Sequence, residues 1–201
     1  MKRINLFLFT MIACGMLSCT GNRGQQGQDA RDSAEDSAEQ TAANTETPSD
    51  DRGYIVNVGD IAPDFTMTTT AGETVKLSDL RGRVVMLQFT ASWCVVCRRE
   101  MPFIEKDIWL KHRNNPKFAL YGIDRDEPKE TVDEFVKQTG VTYPMGLDPG
   151  ADIFALYAER KAGITRNVIV DPEGRIVLLT RLYDTEEFAS MCAKIDELLA
   201  D

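Results

Sequence analysis

The stretch RVVMLQFTASWCVVCRREMPF, residues 83–103, decides the fold. Its first part, Arg83 to Thr90, is a short and nearly continuous apolar run, which is typical of a β-strand buried on both faces. From about Cys94 to His112 the apolar residues recur at helical spacing, so we predict a helix there. A buried strand that passes directly into a helix is the context in which a pair of closely spaced cysteines becomes informative.

Two residues separate the cysteines at this junction, Cys94 and Cys97. We expect Cys94 at the N-terminus of the helix, where unpaired amide N–H groups and the helix dipole favour a thiolate. Cys97 falls on the same face and can attack its partner or be attacked by it. The spacing therefore indicates a reversible dithiol–disulfide couple. A zinc site is the alternative, but it needs two further ligands, and the sequence offers neither a second such pair nor a nearby histidine.

The rest of the hydrophobic pattern predicts further strands and helices on both sides of this junction. The predicted elements are a hairpin around Ala71-Gly72, a buried strand at Phe118–Asp124, helices at Glu130–Thr139 and Asp152–Ala158, a hairpin formed by Asn167–Val170 and Ile176–Leu182, and a helix at Thr185–Ala200 with Thr185 as its cap. In chain order this is β-β-β-α-β-α-α-β-β-α, which predicts an α/β fold with a mixed central sheet flanked by helices.

Composition excludes several classes of protein. A net charge of −9 with no long basic run argues against a nucleic-acid binder. The single histidine, His112, excludes mechanisms that need a histidine pair, and we expect it to be a solvated residue near a helix end. The five cysteines are too few for a disulfide-rich scaffold, and we expect Cys192 to be a small core hydrophobe.

The N-terminal residues are typical of a bacterial export signal. Three residues with two basic side chains precede the mostly apolar run from Ile4 to Ser18, which is shorter than the roughly 20 residues that a membrane-spanning helix needs. Residues 16–19, MLSC, resemble a lipoprotein lipobox, in which the cysteine, here Cys19, is acylated and becomes the new N-terminus. A competing site ends at Cys14, and secretion without a lipid is the alternative.

The segment that follows differs in composition from all later residues. Residues 20–53 contain no Val, Ile, Leu, Met or aromatic residue, and they carry three basic and eight acidic side chains. Such a segment cannot bury enough apolar surface to offset its ordering entropy. We therefore predict three regions: a lipoprotein signal peptide at 1–18, an acylated cysteine with a disordered acidic linker at 19–53, and a folded domain at 54–201.

The folded region carries a set of family motifs. They are GDIAPDF at 59–65, LSDLRGR at 77–83, FTASWC at 89–94, CRREMP at 97–102 and the strand, aspartate and turn glycine at 168–174. In these motifs residues 58–201 resemble the thioredoxin superfamily, in particular its extracytoplasmic TlpA/ResA-like branch, which is grouped with the AhpC/TSA-type redoxins. The resemblance implies a thioredoxin-like fold with an N-terminal β-hairpin extension, and it implies thiol–disulfide exchange without a cofactor or metal.

Three residues are predicted to support the two cysteines. Trp93 belongs to the matching motif directly before Cys94. The resemblance implies that Glu100 is a partly buried acid that tunes the cysteines, and the alternative is a solvated helix charge. Arg166 enters the strand that should end at the same edge of the sheet as the cysteines, so it could favour the Cys94 thiolate, with a surface charge as the alternative.

The sequence departs from the family at several positions. Val95 and Val96 stand between the cysteines, without the proline common in the superfamily, and Gln88 occupies the strand position where thioredoxin has a buried acid. Relatives place a cis-proline six residues before Asp171, where this chain has Thr165. A cis bond before a residue other than proline costs about 3–4 kcal/mol, so we expect a trans bond and a reshaped substrate-binding groove at Ile164 and Thr165.

These observations together favour a membrane-tethered, extracytoplasmic thiol–disulfide oxidoreductase. Its partners would be protein thiols and disulfides and a membrane or periplasmic redox protein, with a lipid anchor in a membrane of the cell envelope. One alternative is a thiol peroxidase of the AhpC/TSA type, although Leu87 and Ala91 replace the proline and threonine of the peroxiredoxin signature. The other alternative is a redox-silent thioredoxin fold that serves as a binding module.

Overall fold

The computed structural model describes residues 52–200. The predicted signal peptide, Cys19 and the linker as far as residue 51 lie outside the described residues. Arg52, at the end of the predicted linker, already contacts the folded domain, since its Nη1 lies 2.6 Å from Glu187 Oε1. Within residues 52–200 no helix combines the length and the apolar character needed to cross a membrane.

Strands and helices alternate along the described chain. The strands are β1 (Thr66–Thr69), β2 (Thr74–Lys76), β3 (Val84–Thr90), β4 (Phe118–Arg125), β5 (Met145–Asp148), β6 (Arg166–Val170) and β7 (Ile176–Arg181). The helices are α1 (Val95–Phe103), α2 (Leu110–His112), α3 (Lys129–Thr139), α4 (Phe154–Tyr157) and α5 (Thr185–Ala200), with a π-helical segment (Ile104–Trp109) between α1 and α2. Short 3-10 helices occupy Leu77–Leu80 and Pro149–Ala151.

The strands form one mixed sheet in the order β2-β1-β5-β4-β3-β6-β7. The three central strands β5, β4 and β3 are parallel, whereas β6 and β7 on one side and β1 and β2 on the other pair antiparallel. All seven residues of β3 are buried, as the apolar run predicts for a strand covered on both faces. The mixed sheet with flanking helices and the N-terminal hairpin confirm the predicted fold class.

The apolar core lies in two clusters, and consecutive residues of β3 alternate between them. Leu87 and Phe89 belong to the cluster that contains both cysteines, Phe154 and Tyr157. Met86 belongs to the cluster formed with α1, α3 and α5. This alternation is the period of a strand, in which successive side chains point to opposite faces.

The structure adds a strand that we did not predict, β5. Its sequence, MGLD, is four residues long, contains a glycine and ends in an aspartate, so it shows no clear strand pattern. It is held by parallel pairing with β4 on one side and antiparallel pairing with β1 on the other. Through β5 the N-terminal hairpin joins the central sheet.

Two of our expectations about residues at or against α5 are wrong. The cap of α5 is Asp184 and not Thr185, because Asp184 Oδ1 accepts hydrogen bonds from the amides two and three residues later, each at 2.9 Å. His112 is not solvated: its side chain is only 12% exposed, and its Nε2 lies 2.9 Å from Asp196 Oδ1. Asp196 belongs to α5, so this contact links α2 to the C-terminal helix.

Candidate active site

Cys94 and Cys97 form a disulfide at the junction of β3 and α1, with their Cα atoms 5.3 Å apart. Cys94 is the residue that precedes the first turn of α1, and its Sγ accepts a hydrogen bond from the amide of Cys97 at 3.1 Å. Cys94 is 6% exposed, whereas Cys97 is completely buried. Because the Cys94 sulfur faces an amide donor and the positive end of the helix dipole, the reduced protein favours a thiolate there.

Thr165 lies directly beside the disulfide. Its Oγ1 is 3.2 Å from Cys94 Sγ and 3.4 Å from Cys97 Sγ, although the residues are about seventy positions apart in the chain. The side chain is 2% exposed, and the neighbouring Ile164 is also buried, in the apolar cluster that contains the cysteines. Thr165 is therefore at the redox centre, and the role of both residues in substrate binding remains a prediction.

Glu100 is buried, so its alternative as a solvated helix charge is wrong. It is 2% exposed, and its Oε1 accepts a hydrogen bond from Asn167 Nδ2 at 2.7 Å. Burial raises the pKa of Glu100 to about 7, against the lowering effect of the hydrogen bond from Asn167. A carboxyl group with this pKa gains and loses a proton at neutral pH. Whether it tunes the cysteines remains a prediction.

Sequence reasoning singled out Gln88 but missed the other polar side chains near Glu100, which are Asn167, Thr180 and Tyr143. Asn167 also donates to Thr180 Oγ1 at 2.9 Å, and Tyr143 donates its phenolic proton to Gln88 Oε1 at 2.7 Å. All four of these residues are buried. A signal for them exists in the sequence, because Gln88 and Asn167 are polar residues inside otherwise apolar strands. Buried polar groups need partners, so such positions indicate a hydrogen-bonded group within the core.

Arg166 is completely buried, so the alternative that it is a surface charge is wrong. Its Nη2 donates to the carbonyl oxygen of Arg52 at 2.6 Å, and its Nε donates to that of Gly163 at 3.1 Å. Its guanidinium lies 4.3 Å from the centre of the Tyr54 ring. These contacts attach the first described residues to β6, and an electrostatic effect of Arg166 on Cys94 remains a prediction.

Trp93 and the residue before it are held by β4 and the turn that follows it. The Trp93 side chain is largely exposed, and the Arg125 guanidinium lies 5.5 Å from its ring centre. The carboxylate of Glu127 accepts hydrogen bonds from the amide of Ser92 at 2.5 Å and from its hydroxyl at 2.6 Å. Glu127 therefore positions the backbone immediately before Cys94.

Asp124 is a second buried acid; it pairs with Thr90 between β4 and β3, at the sheet edge where the sequence places residues 124–127. It is completely buried, and no donor among the described residues forms a hydrogen bond with either carboxylate oxygen. Burial, together with the nearby negative charges of Glu127 and Asp148, raises the pKa of Asp124 to about 8. The carboxyl group is therefore mostly protonated at neutral pH.

Among the described residues, Cys192 is the cysteine that lies outside the disulfide. Cys192 is half-buried and packs against the cluster that includes α5, and burial raises the pKa of its thiol to about 11. Within residues 52–200, no three histidine, cysteine, aspartate or glutamate side chains come together to hold a metal ion.

Known proteins similar in sequence to this chain include thiol–disulfide oxidoreductases, in agreement with the Cys94–Cys97 disulfide. The model of the redoxin family matches residues 57–198. The thiol-disulfide oxidoreductase ResA of Bacillus cereus is 30% identical over 122 residues, which cover 61% of this chain and 68% of the relative.

Solved structures similar to this chain also include candidate proteins of thiol–disulfide exchange. A candidate protein disulfide isomerase from Bacteroides thetaiotaomicron is 70% identical, with a TM-score of 0.73, and the match covers 74% of this chain and 94% of that protein. A candidate thiol:disulfide interchange protein DsbE from Chlorobium tepidum is 26% identical, with a TM-score of 0.63, over 72% of this chain and 99% of that protein.

Proposed function

The chain belongs to the redoxin family and is a thiol–disulfide oxidoreductase, and we propose that it works outside the cytoplasm, tethered to a membrane through Cys19. In this proposal Cys94 and Cys97 exchange electrons with protein thiols and disulfides. The observation that carries it is the Cys94–Cys97 disulfide at a helix N-terminus, where the Cys97 amide donates to Cys94 Sγ. Such a position stabilises the thiolate that disulfide exchange requires.

Cys94 is the nucleophile in the reducing direction. Its thiolate attacks one sulfur of a substrate disulfide, a bond forms between Cys94 Sγ and that sulfur, and the other substrate sulfur leaves as a thiolate. Cys97 then loses its proton and attacks Cys94 Sγ. The mixed disulfide breaks, the second substrate thiolate leaves and the Cys94–Cys97 disulfide closes. In the oxidising direction the same steps run in reverse.

The difference in burial between the two cysteines supports these roles. Cys94 is 6% exposed and Cys97 is completely buried, so an incoming disulfide reaches Cys94 Sγ first. Glu100 lies one helical turn after Cys97, and its pKa of about 7 suits it to take the proton that Cys97 must lose. Trp93, with more than half of its side chain exposed, offers an apolar surface to a protein substrate next to the cysteines.

The extracytoplasmic location is supported by the sequence of the first 53 residues. The basic start, the apolar run, the lipobox-like residues before Cys19 and the acidic linker are the order expected of an exported lipoprotein. A linker of this length would allow the redox domain to reach partners away from the membrane surface. The proposed partners are protein substrates and a membrane or periplasmic redox protein that restores the Cys94–Cys97 couple.

The activity is tested by measuring insulin reduction with dithiothreitol and, separately, hydrogen peroxide consumption. We expect insulin reduction by the wild-type chain and its loss in Cys94→Ser, with Cys97→Ser trapping a mixed disulfide through Cys94. Peroxide consumption without insulin reduction would instead identify a thiol peroxidase. Absence of both activities, with no trapped adduct, would identify a redox-silent binding module.

The lipid anchor is tested in bacterial cells by labelling with radioactive palmitate and by membrane fractionation. We expect the label in the wild-type chain and in the matched control Cys14→Ala, and its absence in Cys19→Ala. Label in the Cys19→Ala chain would show that a residue other than Cys19 is acylated. An exported but unlabelled wild-type chain would show secretion without a lipid.

A further inference from the structure

We propose that the Thr165 hydroxyl is a catalytic hydrogen-bond donor that serves the two sulfurs in turn, first the Cys94 thiolate and then the Cys97 thiolate. The geometry points to this role, because Thr165 Oγ1 lies 3.2 Å from Cys94 Sγ and 3.4 Å from Cys97 Sγ. Both distances suit a hydrogen bond from oxygen to sulfur. The inference rests on the proposed roles of the two cysteines and adds a third group to their chemistry.

The position of this hydroxyl is determined by the start of the β6–β7 pair, because Thr165 directly precedes β6. The Thr165 carbonyl accepts hydrogen bonds from the Leu182 amide at 3.2 Å and from Arg181 Nη1 at 3.3 Å. Leu182 itself has a φ of +67°, in the left-handed region that side chains other than glycine rarely occupy. A backbone held in this uncommon conformation is the kind of local strain that persists where the surrounding structure enforces a functional geometry.

The environment makes this hydrogen bond effective. Thr165 is 2% exposed, so little water competes for its hydroxyl. Among the described residues the hydroxyl has no backbone partner, and the two sulfurs are its hydrogen-bond partners. In the disulfide neither sulfur is charged, whereas in the reduced protein and in the mixed disulfide one of them is. A donor placed here therefore stabilises the states with a thiolate more than the disulfide.

Each of the two sulfurs carries a negative charge in turn during the reaction, and the hydroxyl can donate to whichever is charged. When the Cys94 thiolate attacks, its negative charge passes to the leaving substrate sulfur, and deprotonation of Cys97 then creates a new thiolate. Rotation about the Cβ–Oγ1 bond turns the same O–H from one sulfur to the other, because both lie within hydrogen-bond distance. The hydroxyl keeps its proton throughout, and the proton that Cys97 loses passes to Glu100, as proposed above.

The two cysteines should depend on Thr165 to different degrees. Cys94 Sγ also accepts the Cys97 amide at 3.1 Å and lies at the helix N-terminus. For Cys97 Sγ, the Thr165 hydroxyl is the one hydrogen-bonding group found within the described part of the chain. Loss of the hydroxyl should therefore slow the resolving step by Cys97 more than the first attack by Cys94.

The experiment compares Thr165→Val, which replaces the hydroxyl by a methyl group of similar size, with Thr165→Ser, which retains it. The reduced chains react with 5,5′-dithiobis(2-nitrobenzoate), so Cys94 attack releases the first thionitrobenzoate and Cys97 attack releases the second. The pKa of Cys94 is measured in a Cys97→Ser background from the pH dependence of iodoacetamide alkylation. We expect Thr165→Val to raise the pKa of Cys94 by about one unit, a tenfold loss of thiolate at pH 6.

We expect Thr165→Val to slow the second release more than the first, and Thr165→Ser to restore both rates to within about threefold of wild type. Equal rates in wild type and Thr165→Val would overturn the inference. A Thr165→Ser chain as slow as Thr165→Val would also overturn it, since packing by the methyl group would then carry the effect. If Thr165→Val does not fold, Thr165→Ala replaces it in the same comparison with Thr165→Ser.

Failure of this inference is distinguishable from failure of the proposed function. A wild-type chain that neither reduces insulin nor releases the second thionitrobenzoate would refute the proposed exchange through Cys94 and Cys97. A wild-type chain that performs both reactions, with Thr165→Val equally fast, would leave the exchange intact and refute only the role of the hydroxyl.

Discussion

The carboxyl ends of the parallel strands β3 and β4 lie side by side. The first is followed by a side chain whose negative charge is stabilised, and the second carries one whose negative charge is disfavoured. After β3, the Cys94 sulfur faces the Cys97 amide and the Thr165 hydroxyl, so hydrogen-bond donors surround the atom that becomes a thiolate. At the end of β4, Asp124 is buried with no donor among the described residues, and its carboxyl group is held mostly neutral. Both side chains are buried, so the placement of donors, and not burial, decides which of them carries charge.

Glu127 connects these two strand ends. It follows β4, lies close enough to Asp124 to raise the pKa of that carboxyl group, and accepts both hydrogen bonds from Ser92. Ser92 is two residues before Cys94. Glu127 therefore holds the redox turn, residues 92–97, in place from the end of β4. Variants can test separately the thiol reaction after β3 and the stabilising contact from β4.

The largest effect should come from removing the charged sulfur itself. Cys94→Ser should lower insulin reduction at least 10³-fold, because a hydroxyl at its ordinary pKa is a far weaker nucleophile than a thiolate. The matched control is Cys192→Ser, which removes the half-buried thiol in α5 and should leave turnover unchanged. Substantial turnover in Cys94→Ser, or a loss of similar size in Cys192→Ser, would contradict the assignment.

The second largest effect should come from Glu100. It tests whether this acid takes part in catalysis, whereas Asp124 on β4 does not. Glu100→Gln should slow the resolving step about 100-fold, a loss typical of removing a general base. In the wild type the rate should rise with pH through about 7, where Glu100 loses its proton, and this rise should disappear in the variant. Stopped-flow measurement of thionitrobenzoate release between pH 5.5 and 8.5 provides both values.

Asp124→Asn is the matched control for this prediction, because it alters the buried acid at the end of β4. We expect its rate at pH 7 to stay within about twofold of wild type, since Asp124 is already mostly neutral there. If Glu100→Gln keeps the wild-type rate and pH profile, or if Asp124→Asn loses as much activity, the distinction between the two acids is wrong.

The third effect concerns the contact between Glu127 and Ser92, which joins the ends of β4 and β3. Glu127→Gln removes the charge that accepts both hydrogen bonds from Ser92, and it should lower the free energy of unfolding by about 1.5–3 kcal/mol. Glu130→Gln, at an exposed acid near the start of α3, is the control and should change it by less than about 0.5 kcal/mol. Urea denaturation of both variants measures the difference, and equal values would show that the contact with Ser92 contributes no stability.

The smallest effect is the pH dependence that Asp124 contributes to stability. Its pKa is raised in the folded state, so between about pH 4 and 8 the folded chain holds a proton that the unfolded chain has lost. The free energy of unfolding should therefore fall as pH rises through this range. Between pH 7 and pH 8, Asp124→Asn should make the fall smaller by about 1 kcal/mol, which urea denaturation at these two pH values would detect. An unchanged fall would mean that Asp124 is already ionised in the folded state at pH 7.

Much of the redox turn could be predicted because its signals are local in the chain. The apolar run of β3, the helical spacing after Cys94 and the two-residue separation of the cysteines lie within about twenty positions. Strand and helix periods, and the preference for a thiolate at a helix N-terminus, depend on neighbours of this kind. The buried state of Glu100 was only one of two alternatives in the sequence, since its spacing suits a solvated helix face as well.

The sequence by itself therefore determined the α/β order, the strand-to-helix junction and the cysteine pair. Only the tertiary structure decided that MGLD at 145–148 is a strand, that Thr165 touches both sulfurs and that Asp124 is buried without a donor. The physical reason is that the periodicity of apolar residues in a strand or helix depends on residues close together in the chain. These three features instead arise from contacts between distant segments. Thr165 meets Cys94 across 71 positions because β6 pairs with β3, and no local pattern encodes that approach.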